Sequence, residues 1–258
     1  MRQALHAEWT KLRTVAGPGW LLLAAIVATA VVGALAANAI SCPGGGCQID
    51  PAKSSLTGIY LGQAIVAILA TVAISGEYST GMIRLTLTAT PRRWRVLSAK
   101  AILVGTATLV SGAVAVLASV LAGRLLLDGH GIDPAHGYAT LSLANGSVLR
   151  AAAGSVLYLT LIALLSLGIA TAIRDSAVSI GVVLGLLYLF PIIAQAVGDA
   201  DWKRHLDQIS PMTAGMYVQA TTDLRSLPLT PWQGLGVLAA WAAGALLVGG
   251  LLLRLRDA

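Results

Sequence analysis

Charge is what this chain has least of. Only 11% of its 258 residues are Asp, Glu, Lys or Arg, against roughly 25% in a soluble domain. So sparse a charge, beside 57% hydrophobic residues, excludes an ordinary soluble globule. Enzyme signatures are missing as well. The sequence contains no H-E-x-x-H, no G-x-S-x-G and no phosphate-binding G-x-x-x-x-G-K-[ST], so no hydrolase or nucleotide-binding chemistry is legible. No apolar run carries an ionisable residue near its middle. A carrier driven by protons or sodium would need such a group or a broken helix at the midplane. Cysteine is limited to Cys42 and Cys47. They lie in a Gly- and Pro-rich loop with no nearby His or Cys to complete a metal site, which leaves a disulfide, if the loop faces an oxidising compartment, or two free thiols.

What is present is apolar length. Six runs approach or exceed the roughly 18 apolar residues that mark a membrane helix, at about 19–40, 56–75, 101–122, 151–173, 177–197 and 232–253. The expected fold is an all-α membrane protein forming one transmembrane unit over 1–258. The N-terminal segment is too long and polar ahead of its first apolar run for a cleavable leader. Residues 151–197 are broken only by Arg174-Asp175-Ser176. As a single helix they would reach about 70 Å, twice a bilayer core, so the charged triplet is a turn at a membrane face. Residues 1–16 place Leu5, Trp9, Leu12 and Ala16 on one helical face, away from Glu8, Lys11 and Arg13, which suits a helix lying in the interface.

The net charge of +6 flanks the spans instead of forming an aromatic-interleaved basic face, so it speaks for topology and not for nucleic acid. With both termini on the same side, that side holds 11 bases and 4 acids and the other holds 6 bases and 7 acids. Basic loops stay in the cytoplasm, which puts both termini inside and the cysteines outside. The loop with Asp128, His130, Asp133 and His136 fits no standard metal spacing and reads as a solvated loop. Asn145-Gly146-Ser147 matches a glycosylation acceptor by pattern alone.

One stretch departs from the apolar background. Residues 76–100, GEYSTGMIRLTLTATPRRWRVLSAK, carry five of the seventeen bases, Arg84, Arg92, Arg93, Arg95 and Lys100, and one acid, Glu77. Gly76 is a candidate stop for the second span. Ser79 or Thr80 can cap a short helix, and Thr90-Pro91 can close it and start another. A basic loop that only fixes topology is the competing interpretation.

Glu77, Gly81 four residues later, a Leu- and Thr-rich turn, Pro91, Arg92 and a final Lys100 together resemble the cytoplasmic loop of type-2 ABC export permeases. Met82 and Ile83 stand where that pattern usually has threonine and leucine, a mild departure. Glu8, Lys11 and Arg13 are similar to the elbow with which such permeases often begin. The resemblance implies six spans, an interfacial N-terminal helix and a cytoplasmic coupling helix between spans two and three. It implies a transport subunit in the plasma membrane, not an enzyme. No cofactor would sit in this chain, ATP and Mg being held by a separate ABC-type ATPase subunit. The other partners are the lipid bilayer and a second permease chain, either a second copy or a paralogue, with no nucleic acid. The ATPase interface would comprise Glu77, Tyr78, Gly81, Pro91 and Arg92, with Arg84 and Arg93 added from charge. In that family spans two and five line the pathway, which makes Gln63, Thr71, Tyr188 and Gln195 candidates to face it; hydrogen bonding between helices is the alternative role. The substrate is expected to be hydrophobic or amphipathic. A non-transporting resistance, immunity or assembly protein without an ATPase is the alternative function.

Overall fold

The computed structural model describes residues 9–10, 14, 16–40, 50–82, 93–127 and 141–255. Among these the chain is helical and contains no strand. The elements are α1 (Ala16–Asn38), α2 (Pro51–Ser55), α3 (Ile59–Ser79), α4 (Arg93–Leu127), α5 (Gly146–Ile173), α6 (Ser176–Ala196), α7 (Ala200–Ile209), α8 (Pro211–Met216) and α9 (Pro231–Leu255), with one 3₁₀ turn at Tyr217–Gln219. Six of them, α1, α3, α4, α5, α6 and α9, are long and apolar enough to cross a membrane. This is the all-α, six-span architecture read from the sequence. Residues 9, 10 and 14 are helical, and the rest of the expected interfacial helix lies outside the described residues. So do Cys42, Cys47, the loop histidines His130 and His136, and Arg84, Pro91 and Arg92 of the basic stretch.

The fifth element is the centre of the bundle. α5 packs against α3, α4, α6 and α9, while α1 lies across α3 and α4. Tyr158, Leu159, Ile162, Leu165 and Leu167 of α5 are among the most completely buried side chains of the described chain. In a bilayer, lipid tails are as apolar as leucine, so helices associate through close packing and interhelical hydrogen bonds. Both devices are visible. A Cβ on Gly168 would fall 2.5 Å from the backbone carbon of Ala245, so glycine lets α5 and α9 touch backbone to backbone. Gly58 plays the same part beneath Thr29 of α1, whose carbonyl oxygen would be 1.9 Å from an added Cβ. Across α3 and α5 the hydroxyl of Tyr158 donates to Gln63 Oε1.

Two expectations about the basic stretch are corrected. Gly76 does not end the second span: α3 runs on to Ser79. The carbonyl of Gly76 accepts from Thr80 N at 3.2 Å and from Thr80 Oγ1 at 2.8 Å, and Ser79 Oγ donates to it at 3.0 Å. These hydroxyls therefore close the old helix instead of capping a new one. The left-handed residue is Gly81, at φ 70°, where glycine avoids the steric cost of a Cβ. Nor, among the described residues, does a break separate the end of the basic stretch from the third span. From Arg93 the chain is one helix of 35 residues to Leu127, about 52 Å long and well beyond the ~30 Å of a bilayer core.

At the far end, the polar segment after α6 is ordered into α7 and α8. Asp199 caps α7 by accepting from Asp201 N and Trp202 N at 2.8 and 3.1 Å. Ser210 caps α8, which turns into the bundle and buries Met212, Ala214 and Met216. Asp50 holds this end together. It caps α2 through Lys53 N at 3.1 Å. It also accepts from Thr221 N at 2.5 Å, Thr221 Oγ1 at 2.6 Å and Thr222 N at 3.2 Å.

Candidate functional site

The two helices that enter and leave the basic stretch are joined at its base. Glu77, one turn from the end of α3, and Lys100, two turns into α4, are 8% and 2% exposed. Lys100 Nζ donates to Glu77 Oε1 at 2.8 Å and to the Ala73 carbonyl at 3.1 Å. An ion pair so buried is costly to desolvate, and removing either partner leaves a charge where water cannot reach it. The pair therefore fixes the register of α3 against α4 where the loop begins and ends.

Two further bases, Arg174 and Arg93, lie at the same end of the bundle. Arg174 caps α5 in the left-handed conformation, φ 69°. Its guanidinium carbon lies 5.3 Å from the centre of the Tyr78 ring, within cation–π range. Its Nη2 donates to the Leu252 carbonyl at 3.3 Å. Arg93 Nη1 donates to the carbonyls of Leu253 and Arg254 at 2.8 and 3.3 Å. The C-terminal carbonyls of a helix have no intrahelical donor and carry the negative end of its dipole. Two arginines from other spans thus complete the end of α9. Trp94 packs on Gly250, where an added Cβ would meet its ring at 2.9 Å. Ser176 Oγ donates to Ser75 Oγ at 2.7 Å, bringing in α6. Spans two to six all contribute to this cluster.

Of the residues expected at an ATPase interface, Glu77, Tyr78, Gly81 and Arg93 fall on this face. Gly81 is exposed, Tyr78 and Arg93 are half-buried, and the Glu77 carboxylate points inward at Lys100. The pairing of Glu77 with Lys100, and the part taken by Arg174, were not foreseen. Both members of the pair belong to the recognised stretch, but nothing in a linear pattern says that they meet.

The four pathway candidates separate into two groups. Gln63 and Thr71 are fully buried within the chain. Gln63 accepts from Tyr158 and its Nε2 donates to Met212 Sδ at 3.3 Å. Tyr188 is half-buried and its hydroxyl donates to the Tyr60 carbonyl at 2.5 Å, linking α6 to α3. Gln195 is exposed near the end of α6. It lines a cleft of about 340 Å³ together with Lys53, Tyr60, Met212 and Tyr217. The face that joins the spans and this cleft lie at opposite ends of the bundle.

Comparison with curated proteins gives no match. A family model described as ABC-2 family transporter protein matches residues 27–258, which takes in all six spans except the start of the first. The chain is a multi-pass membrane protein that belongs to the ABC-2 transporter family.

Proposed function

We propose that the chain is the permease of an ATP-driven exporter and that residues 77–95 form the part that receives force from a separate ABC-type ATPase. The observation that carries this is the Glu77–Lys100 pair with its surrounding cluster. A surface loop that served only to mark topology would need no buried charge pair at its base. A loop that transmits movement needs ends that cannot slip. Here the entering and leaving helices are joined to each other, and through Arg93 and Arg174 to the last span.

In this proposal both termini and the basic face are cytoplasmic, in accord with the excess of bases at that end. The exposed turn around Gly81 and the arginines Arg84 and Arg92 dock on the ATPase, while Glu77 and Lys100 brace the turn from within. Movement of the docked turn tilts α3 and the 35-residue α4 as levers. A second copy of the chain completes the pathway, and ATP and Mg remain on the partner. Tyr188 and Gln195 are the candidates for pathway-facing groups. Gln63, held by Tyr158 and Met212, is better suited to tying helices together. The substrate class is hydrophobic or amphipathic.

The test is ATP turnover by the partner ATPase, measured alone and with the chain in proteoliposomes. Wild-type chain should stimulate turnover, and the Arg84→Glu/Arg92→Glu variant should not. Equal stimulation by both would reject the docking role of this stretch. No stimulation by wild type would favour a membrane protein that works without an ATPase.

A further inference from the structure

At the end opposite the coupling face, the cleft that contains Gln195 is built from two chemically distinct halves. Its inner wall is apolar or aromatic: Tyr60 of α3, Pro191 and Ala194 of α6, Met212 and Met216 of α8. Its rim carries Lys53 of α2 and Lys203 of α7. Both lysines are exposed, and neither ammonium makes a hydrogen bond or an ion pair within 4 Å among the described residues. The one acid of the lining, Asp207, lies four residues beyond Lys203 on the same helix, which leaves the rim with a net positive charge. Thr213 supplies a further polar group. Its Oγ1 is buried, makes no hydrogen bond among the described residues, and belongs to a residue that lines the cleft. A buried hydroxyl normally has a partner, so this atom is available to a polar group of a bound molecule. Tyr217 adds a phenol that burial and the nearby Asp207 carboxylate push up to about 12, so it remains a donor at any physiological pH.

We propose that this cleft binds the anionic headgroup and upper chain of an amphiphile drawn from the adjoining lipid leaflet. The lysines face the headgroup charge, Thr213 and Tyr217 supply hydrogen bonds, and the methionine-lined wall takes the first carbons of the chain. Methionine suits such a wall because its flexible, polarisable side chain fits irregular apolar groups. The volume, about 340 Å³, sits at the lower end of the roughly 300–1,000 Å³ of small-molecule sites. It is large enough for a headgroup region and too small for a whole lipid. That the bound amphiphile is the transported substrate rests on the permease proposal above; that it binds does not.

The experiment uses the purified full chain without any ATPase, so failure of binding and failure of the ATPase proposal are separate results. Native mass spectrometry in detergent would compare phosphatidylglycerol with phosphatidylcholine of the same acyl chains. Wild type should hold phosphatidylglycerol roughly tenfold more tightly, since its headgroup is net negative, whereas the choline cation of phosphatidylcholine offsets the phosphate charge and is repelled by the two lysines. Lys53→Ala/Lys203→Ala should abolish the preference. Arg225→Ala, which removes a base of the same end outside the cleft, should keep it. Gln195→Trp at the exposed mouth should weaken both lipids. Equal binding of the two lipids by wild type, or a preference that survives the double lysine change, overturns the proposal. Displacement of phosphatidylglycerol by millimolar inorganic phosphate would make this a site for a free anion and would also overturn it.

Discussion

Glu77→Gln is the most informative single change at the proposed coupling face. The substitution keeps the shape and a hydrogen-bonding oxygen but removes the charge that faces Lys100 Nζ at 2.8 Å. The Lys100 side chain is 3% exposed, so water is poorly placed to replace the carboxylate. Breaking a buried pair by removing one member costs about 3–5 kcal/mol. Even the lower figure reduces the folded-to-unfolded ratio by roughly a hundredfold. Lys100→Met should cost a similar amount, because it leaves the Glu77 carboxylate buried without its countercharge. Glu77→Gln/Lys100→Met removes both charges and should recover most of the loss, since no uncompensated charge then stays buried. The assay is a four-member double-mutant cycle, with unfolding followed in mixed micelles of rising denaturing-detergent fraction. A coupling of about 2 kcal/mol or more is expected, at the upper part of the range for contacting residues. If the single changes are each tolerated within ~0.5 kcal/mol, the size of a typical surface substitution, or if the two losses simply add, the pair does not brace α3 against α4 and the lever argument fails.

Gly168→Ala should destabilise by about 1–3 kcal/mol through overpacking, because the new methyl would meet the Ala245 backbone at 2.5 Å; Gly236→Ala, with nothing within 4 Å, should not, and thermal unfolding in detergent compares the two. Asp50→Ala removes the acceptor for Thr221 N and Oγ1, worth about 1.5–3 kcal/mol for a hydrogen bond to a charged group. Limited proteolysis should then cut within residues 221–230 several-fold faster while the spans stay protected. Burial pushes the Asp207 carboxyl above its usual range, with Lys203 opposing. The folded state therefore binds this proton more readily than the unfolded state, and the carboxylate's penalty is full above the raised value and fades as pH falls through it. Asp207→Asn should accordingly raise Tm at pH 7, and its advantage should shrink in melts at successively lower pH.

The spans were legible because the bilayer imposes one dominant rule, about twenty apolar residues per crossing. That rule located the turn at Arg174-Asp175-Ser176 inside an otherwise unbroken run. The ends of the helices were less legible, for two local reasons. Gly76 offers a stop, but the hydroxyls of Ser79 and Thr80 satisfy its carbonyl and carry α3 one turn further. Arg93 to Lys100 looks like a separate basic segment, yet Val96, Leu97 and Ala99 are buried and continue the packing of the span. Tertiary pairings were illegible in principle. Glu77 and Lys100 are 23 residues apart, and the basic residues that mark topology are the same ones that cap carbonyls of α9. Gln63 shows the limit from the other side. A polar residue in a span must find a partner or a polar cavity, and only the fold reveals that Tyr158 and Met212 provide one.

The most direct measurement is co-purification of the chain in detergent with an ABC-type ATPase subunit, comparing wild type with Arg84→Glu/Arg92→Glu. Wild type should retain the ATPase through size-exclusion chromatography, and the variant should lose it while keeping its own Tm and elution volume. A wild-type chain that holds no ATPase, or a charge-reversed variant that holds it equally well, would contradict the assignment of this stretch as the coupling element.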